Sequence, residues 1–319
     1  MASSTRPQAR RGPSGAWNRL KPAVIDPLDQ YGLPSKGETG LNDHRAQEKY
    51  YNKIVERYMK FCAASSSAED LEKAFASLSL PPTPTSKHPP TASSTTTKPQ
   101  QQPPGATQAR PTLPRQVSTP DRANDLPAIH LAMRKLREAI LATHRRDAFA
   151  QRAYVFIIHA TILTRHWESY TPGLTYLLHN IHAYTPLSKA ELDEFIGYKI
   201  LDLACRRYEL NECFELRAKW RFKDRRVEGV VKALVHDDWV RFWRLKGLVD
   251  GYQRAMMEFA VDRMRLHALK CLGRGYLSAD KAFVERCGGA TWAELVKGGV
   301  GWELSEDGRH VVIRRAKPK

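Results

Sequence analysis

Histidines at helical spacing are the residues in this chain that could hold a metal ion. His179 and His182 are three positions apart, and His159 and His166 fall on the preceding predicted helix. A transition metal needs such a pair plus a third ligand and groups that orient the rings. Since no nearby carboxylate or cysteine has a matching spacing, the sequence predicts packed or partly exposed histidines, with no metal and no cofactor.

Two further features could act in catalysis. Cys287 precedes a glycine pair, and residues 237–238 are adjacent aspartates. Cys287 has no recognisable partner base, however, and aspartates at a helix start usually cap the helix. The glycine pairs at 288–289 and 298–299 are typical of helix ends, since no GxxxxGK[ST] or GxGxxG phosphate loop occurs. The sequence therefore predicts a protein that is not an enzyme and has no small-molecule substrate.

Basic side chains near the end of the chain could contact phosphate groups. This group is Lys297, Arg309, Arg314, Arg315, Lys317 and Lys319. Lysines and arginines also protect an exposed strand edge from aggregation. A solvated edge therefore stays open as the alternative to phosphate binding.

A second basic group surrounds two aromatic residues, Trp220 and Phe222. Its members are Lys219, Arg221, Lys223, Arg225 and Arg226. Cations beside aromatic rings suit single-stranded RNA, whose bases can stack on the rings. Core packing of both aromatics, with a basic loop beside them, is equally consistent with the sequence. A third group is predicted to be a solvated helix face and consists of Arg241, Arg244 and Lys246.

Net charge also favours an anionic partner. The 319 residues include 51 lysines and arginines and 34 aspartates and glutamates, a net charge of +17. Residues 127–319 alone have 34 basic and 23 acidic side chains, a net charge of +11. Most of the positive charge therefore belongs to the part predicted to fold, as expected for contact with RNA, DNA or an acidic protein face.

Cysteine usage and hydropathy indicate the compartment. The five cysteines are odd in number and form no CxxC pair, which favours a reducing compartment over a disulfide framework. The longest unbroken apolar run, Ala153–Ile158, is far too short to cross a bilayer. We expect a protein of the nucleus or cytoplasm that has no membrane partner.

The N-terminal part alternates between disordered and helical composition. Residues 1–41 are predicted to be a disordered basic tail, and residues 42–80 a short hairpin of two helices, at 43–61 and 68–78. Residues 81–125 are rich in Pro, Thr and Ser and predict a disordered linker. We expect the hairpin to dock on the main domain or on a partner.

From residue 126 onward the pattern is helical with short connections. Capping boxes at Ser188–Glu191 and Thr291–Glu294 mark two helix starts. Predicted helices are Leu126–His144, Asp147–Trp167, Gly173–Ala183, Lys189–Tyr208, Asn211–Phe222, Arg225–Val235 and Asp237–Leu245. Such a series predicts antiparallel helix hairpins stacked in an array over residues 126–250.

The last seventy residues predict a long helix, two short helices and a two-stranded wing. The long helix covers about residues 251–271, and the short helices are Ser278–Cys287 and Thr291–Lys297. The wing strands, Val300–Leu304 and His310–Arg315, flank a strong turn signal at Asp307-Gly308. This order predicts a winged helix over residues 251–315, followed by a basic tail at 316–319. The predicted fold is thus mainly α, with a helical array, a C-terminal winged helix and a disordered N-terminal region.

The segment His236–Tyr276 resembles the core of the PCI-domain family. In that family a short aromatic segment precedes a long helix that has an R-x-x-A-L element, here residues 265–269. Residues 198–201, Tyr-Lys-Ile-Leu, are similar to a helix of GANP-like messenger-RNA-export scaffolds. The resemblance covers about residues 127–315. Helical spacing and, for Trp302, strand alternation predict a structural core that consists of Trp239, Phe242, Trp243, Met256, Phe259, Leu266, Leu269 and Trp302.

The resemblance implies a non-catalytic scaffold that assembles with other PCI-domain or complex subunits. The basic charge, and the lack of an assembly helix after the wing, favour an mRNA-processing or export-like complex in which the wing contacts RNA. The alternative is a structural subunit of a proteasome-lid, signalosome or translation-initiation-factor complex that does not bind nucleic acid directly.

Overall fold

The computed structural model describes residues 26–66 and 122–315, and it is mainly helical. The predicted helix at 68–78, most of the predicted linker, and Lys317 and Lys319 lie outside the described residues. Eleven α-helices occur in the described part: α1 His44–Ser66, α2 Arg122–Ala142, α3 Ala148–Leu163, α4 Trp167–Tyr176, α5 Lys189–Leu201, α6 Leu210–Trp220, α7 Arg225–Val235, α8 Trp239–Leu248, α9 Gly251–Gly275, α10 Lys281–Gly288 and α11 Trp292–Lys297.

Side-chain caps begin most of these helices. Both predicted capping boxes are confirmed: Ser188 and Thr291 accept from the third amide of their helices, and Glu191 and Glu294 bond back. Aspartates cap five other helices by accepting from a first-turn amide, and they are Asp147, Asp224, Asp238, Asp250 and Asp280. The aspartate at 238 is therefore a helix cap, as its position in the sequence predicts.

The predicted helix over residues 147–167 ends four residues early in the structure. Helix α3 ends at Leu163, and Arg165 adopts a left-handed conformation with φ of 54°. A non-glycine residue rarely takes that conformation, and it cannot continue a right-handed helix. Helix α4 then starts at Trp167, earlier than the predicted start at residue 173, and continues into a π-helical turn, Leu177–Ile181.

A second π-helical turn, Asp202–Arg207, extends helix α5 to the predicted end of its helix. Asp202 is buried there and accepts from the Tyr170 hydroxyl at 2.8 Å. It also accepts from Nε and Nη2 of Arg206 at 2.6 and 2.7 Å. These bonds compensate the buried carboxylate and join the turn to helix α4.

Residues 26–41, predicted as part of the disordered tail, pack against the helices in the structure. Leu28 and Leu41 are buried, and Leu28 accepts through its carbonyl from the Tyr50 hydroxyl at 2.7 Å. Gln47 of α1 donates to the Leu41 carbonyl at 2.9 Å. Two buried leucines, together with the Tyr31 ring that packs on Tyr50, therefore hold this segment against the helices.

Helix α9 links the two apolar cores. The larger core runs from Leu28 to Met264 in the sequence, and the smaller one contains Leu272, Val284 and Leu295. Trp239 of α8 packs against both of them. Phe242 and Met256 are fully buried, whereas the remaining aromatic core candidates are partly buried: Trp239, Trp243, Phe259 and Trp302. Leu269 is also partly buried and packs against the smaller core.

The prediction that Leu266 belongs to the core is wrong, because 53% of its side chain is exposed. The buried residues of the second half of α9 are Val261, Met264, Ala268 and Leu272. These recur at three- and four-residue intervals and define one face of the helix. Leu266 lies off that face.

A three-stranded antiparallel sheet packs beside the last helices. Its strands are β1 Ser278–Asp280, β2 Glu303–Leu304 and β3 His310–Val312, in the order β1-β3-β2. Strand β1 falls where the sequence predicts the start of a helix, and helix α10 begins only after the Asp280 cap. A three-residue strand has too short an alternation to be recognised from sequence. Strands β2 and β3 are shorter than predicted, and Gly308 takes a φ of 67° in the turn between them.

Candidate nucleic-acid interface

The junction of helices α6 and α7 gathers five basic side chains, which we call the basic corner. They are Lys219, Arg221, Lys223, Arg225 and Arg226, and all five are exposed. The chain turns sharply here because Arg221 ends α6 in a left-handed conformation, and Asp224 starts α7 by accepting from the Arg226 amide at 2.7 Å. Two helix ends and a short connection therefore place all five cations close together.

Ion pairs do not neutralise the basic corner. Among the described residues, no carboxylate oxygen lies within 4.0 Å of a side-chain nitrogen of its five members. Neighbouring cations are paired: Glu228 accepts from Arg217 and from Lys232, both at 2.8 Å. The five cations of the corner are therefore not ion-paired within the described part of the chain.

The helix dipole makes part of this placement unfavourable. Arg225 and Arg226 occupy the first turn of α7, where the positive end of the dipole favours acidic side chains. Each cation at such a position costs roughly 0.3–1 kcal/mol at low ionic strength. The fold therefore gains no stability from these two charges, and the Asp224 carboxylate already accepts from the first amides of this helix.

A shallow depression of about 330 Å³ adjoins the corner. Phe214 lines it and is 42% exposed, while Arg221 and Lys223 stand at its edge. The two aromatics that the sequence pattern singled out are less accessible: Phe222 also lines the depression but is buried, and Trp220 is partly buried against the large core. The sequence left two interpretations of these aromatics open, stacking on RNA bases and packing in the core. In the structure both of them pack against the core. Phe214 is an aromatic side chain exposed beside the cations.

Helix α5 adds a further cation that sequence reasoning did not assign to the corner. Burial lowers the pKa of Lys199, and the nearby positive charge of Lys219 lowers it further. The pKa of His179 is lowered by burial and then by Lys199 and Lys219. Lys199 of α5 is therefore near enough to Lys219 of α6 for their charges to interact. No local signal could have revealed this, because the residues are 20 or more positions apart in the chain.

The C-terminal basic group is less free than the basic corner. Arg315 pairs with Glu303 at 2.7 Å, and Arg314 donates to the Arg274 carbonyl at 2.8 Å. Lys297 ends α11 and Arg309 lies in the turn before β3, and both are exposed. In the described part of the chain, neither has a carboxylate within 4.0 Å. Two of the six predicted members are therefore available to a ligand, two are engaged, and two fall outside the described residues.

The third basic group lies on α8. Arg241 and Arg244 are exposed, whereas Lys246 pairs with Glu258 of α9 at 2.7 Å. A solvent-accessible pair of this kind contributes little to stability.

The histidines take part in packing contacts. His159 pairs with Glu194 at 2.8 Å and lies against the Tyr252 ring at 4.4 Å between centroids. The Leu187 amide donates to Nδ1 of His182 at 3.0 Å. Within the described residues, no three or more His, Cys, Asp or Glu side chains are arranged to hold a metal ion.

Comparison with known proteins gives no information on the function of these surfaces. Neither the models of known protein families nor the curated proteins include a match to this chain. In the described residues, none of the helices combines the length and apolar character needed to span a bilayer.

Proposed function

We propose that this protein is a non-catalytic, PCI-type scaffold subunit that assembles with partner proteins and contacts RNA. In this proposal the helices of residues 126–250 form a degenerate helical-repeat array, and residues 251–315 form a winged helix. It acts in the nucleus or cytoplasm, in a complex of the mRNA-processing or export type.

The basic corner is the observation that carries the RNA part of the proposal. It presents five exposed cations with no acidic partner within the described residues, beside the exposed ring of Phe214. Cations that follow a backbone and an aromatic ring that accepts a base are the two components of single-strand recognition. Lys297 and Arg309 supply a second, smaller contact.

The C-terminal elements support the scaffold part of the proposal. A long helix, α9, is followed by a strand, two short helices and two strands, which is the element order of a winged helix. This unit follows a series of helices joined by short turns. The same order, together with the His236–Tyr276 segment, is what the resemblance to PCI domains rests on.

The alternative of a structural subunit without nucleic-acid contact is favoured by one observation. Arg314 and Arg315 bond within the chain, so the predicted wing offers fewer free cations than its sequence implies. If this alternative holds, the wild type shows no salt-sensitive binding to RNA.

RNA binding can be tested by fluorescence anisotropy with a labelled single strand of about 20 nucleotides, between about 50 and 200 mM KCl. The test variant is Lys219→Gln/Lys223→Gln/Arg225→Gln in the full chain. We expect about a tenfold loss of affinity at the lower salt concentration, and a decrease of about 2 in the salt slope, because three phosphate contacts are lost.

A matched control removes the same charge from another exposed surface. Lys36→Gln/Arg45→Gln/Lys49→Gln changes three exposed cations near α1 that have no described carboxylate within 4.0 Å. The proposal predicts a change of less than about threefold for this control. Equal losses in both variants, or no salt-sensitive binding by the wild type, would contradict an RNA site at the basic corner.

A further inference from the structure

A groove lies between helices α2 and α4, far along the chain from the basic corner. Its volume is about 840 Å³, and Tyr154 of α3 contributes to its lining. Along α2 the lining extends from Pro127 to Leu141. At about 1.5 Å per residue, this distance is about 20 Å, which is the length of several helical turns.

Three buried polar atoms around this groove lack a hydrogen-bond partner in the described chain. They are Nε of Arg137, the hydroxyl of Tyr176 and Nδ1 of His166. An unpaired buried polar group costs about 1–3 kcal/mol, and such groups are rare in folded proteins. Arg137 and Tyr176 can both donate, so a ligand that accepts hydrogen bonds would satisfy them together.

The Arg137 guanidinium has no ion-pair partner among the described residues. Arg134 pairs with Glu138 at 2.7 Å, and His166 pairs with Glu168 at 3.1 Å. No carboxylate among the described residues lies within 4.0 Å of the Arg137 guanidinium. Burial lowers the pKa of Arg137, which is consistent with a cation that is partly removed from water.

Apolar side chains also line the groove. Leu131 and Leu141 are 39% and 49% exposed, although both lie on the groove side of α2. Pro127 and Pro172 also line it. A ligand that fits this surface must bring apolar groups on either side of a hydrogen-bond acceptor.

We propose that this groove docks a segment of a partner protein in which one Asp or Glu side chain is flanked by apolar side chains. The carboxylate accepts from Arg137 and Tyr176, and the apolar side chains cover Leu131 and Leu141. A length of about 20 Å fits a short amphipathic helix or an extended peptide. A nucleic acid is disfavoured because it has a phosphate at every nucleotide and no aliphatic side chains to cover Leu131 and Leu141, whereas the peptide brings a single carboxylate.

The test uses two displayed libraries of peptides of about 12 residues, a length that spans about 18 Å as a helix. One library has a fixed central Asp or Glu among randomised Leu, Ile and Phe, and the other has Asn or Gln at that position. We expect the full chain to enrich binders from the acidic library only. Calorimetry then measures the affinity of a selected peptide for each variant.

Paired variants separate the groove contacts from folding. Arg137→Gln is expected to weaken peptide binding about tenfold or more, as for the loss of a charge-assisted hydrogen bond. Arg134→Gln, on the same helix, is expected to change it less than about threefold, since its charge is already paired. Tyr176→Phe removes only the unpaired hydroxyl, so it is expected to weaken binding without lowering thermal stability.

Three results would overturn the proposal. They are equal enrichment from both libraries, equal losses for Arg134→Gln and Arg137→Gln, and peptide binding that Tyr176→Phe and Leu141→Ser both leave unchanged. Self-association of the wild type that Leu141→Ser abolishes would assign the groove to a second copy, and would also overturn it. RNA anisotropy on the same variants distinguishes this outcome from failure of the basic corner, because the groove variants leave all five corner cations in place.

Discussion

His130 shows how the environment of one residue couples stability to pH. Its ring lies 4.2 Å from that of His166, measured between centroids, and its Nε2 is 3.0 Å from the Thr164 hydroxyl oxygen. Burial, followed by the neighbouring His166, lowers the pKa of His130 to about 4. The neutral form is therefore the one that the folded protein accommodates.

The pKa difference predicts a loss of stability in mild acid. Between about pH 6.5 and pH 4, His130 binds a proton in the unfolded chain but not in the folded chain. The free energy of unfolding therefore falls as the pH falls through this window. We expect His130→Gln to show a smaller fall, as measured by urea denaturation at several pH values.

An exposed histidine provides the control for that measurement. His236→Gln changes a histidine at the surface, and we expect its stability to follow the wild type more closely. If His130→Gln loses as much stability as the wild type over the same pH range, His130 is not the group responsible.

Helix α9 shows how much of an element can be predicted. Its apolar residues indicate a helix, and Asp250 caps its start. The sequence alone does not identify which face of this helix is buried, because apolar residues also lie on its other faces, including the exposed Leu266. Contact with α3, α5, α8, α10 and the Asp202–Arg207 turn decides which apolar stripe is covered.

A pair of identical substitutions tests this assignment of faces. Leu272→Ala removes a buried side chain from the smaller core, and we expect a loss of about 2–5 kcal/mol in the free energy of unfolding. Leu266→Ala removes a side chain that is 53% exposed, and we expect a change within about 0.5 kcal/mol. Chemical denaturation measures both, and equal losses would show that the two leucines are buried alike.

At the scale of the whole molecule, α1 belongs to the same core as the later helices. Tyr50 and Ile54 are fully buried in the core that also contains Phe195 and Met256. Gln47 donates to the Thr143 hydroxyl at 3.1 Å, which joins α1 to the end of α2. We therefore expect α1 to unfold together with the main body.

Ile54→Ala tests this cooperativity. We expect a loss of about 2–5 kcal/mol and a single transition at which tryptophan fluorescence and far-ultraviolet circular dichroism coincide. Met59→Ala, at a position 60% exposed on the same helix, is the control and should have little effect. Two separate transitions in Ile54→Ala would show that α1 is an independent unit.

Local chemistry allowed much of the fold to be predicted from sequence. The caps at Ser188, Asp238 and Thr291 act within three residues of themselves, so their sequence context is sufficient. The positive charge of the chain is likewise a property of composition. Strand β1 escaped prediction because its partner, β3, is about 30 residues away, and pairing rather than propensity makes it a strand.

The sequence by itself determined where most helices begin, that the chain is basic and which residues form the basic corner. Tertiary structure alone decided that Phe214 rather than Phe222 is exposed beside those cations, and that Lys199 lies near Lys219. It also decided that Arg137 and Tyr176 line one groove without partners in the described chain. The physical reason is the distance over which each effect acts. Capping depends on neighbours a few residues away and net charge on composition alone, whereas burial and charge compensation depend on side chains brought together from distant parts of the chain.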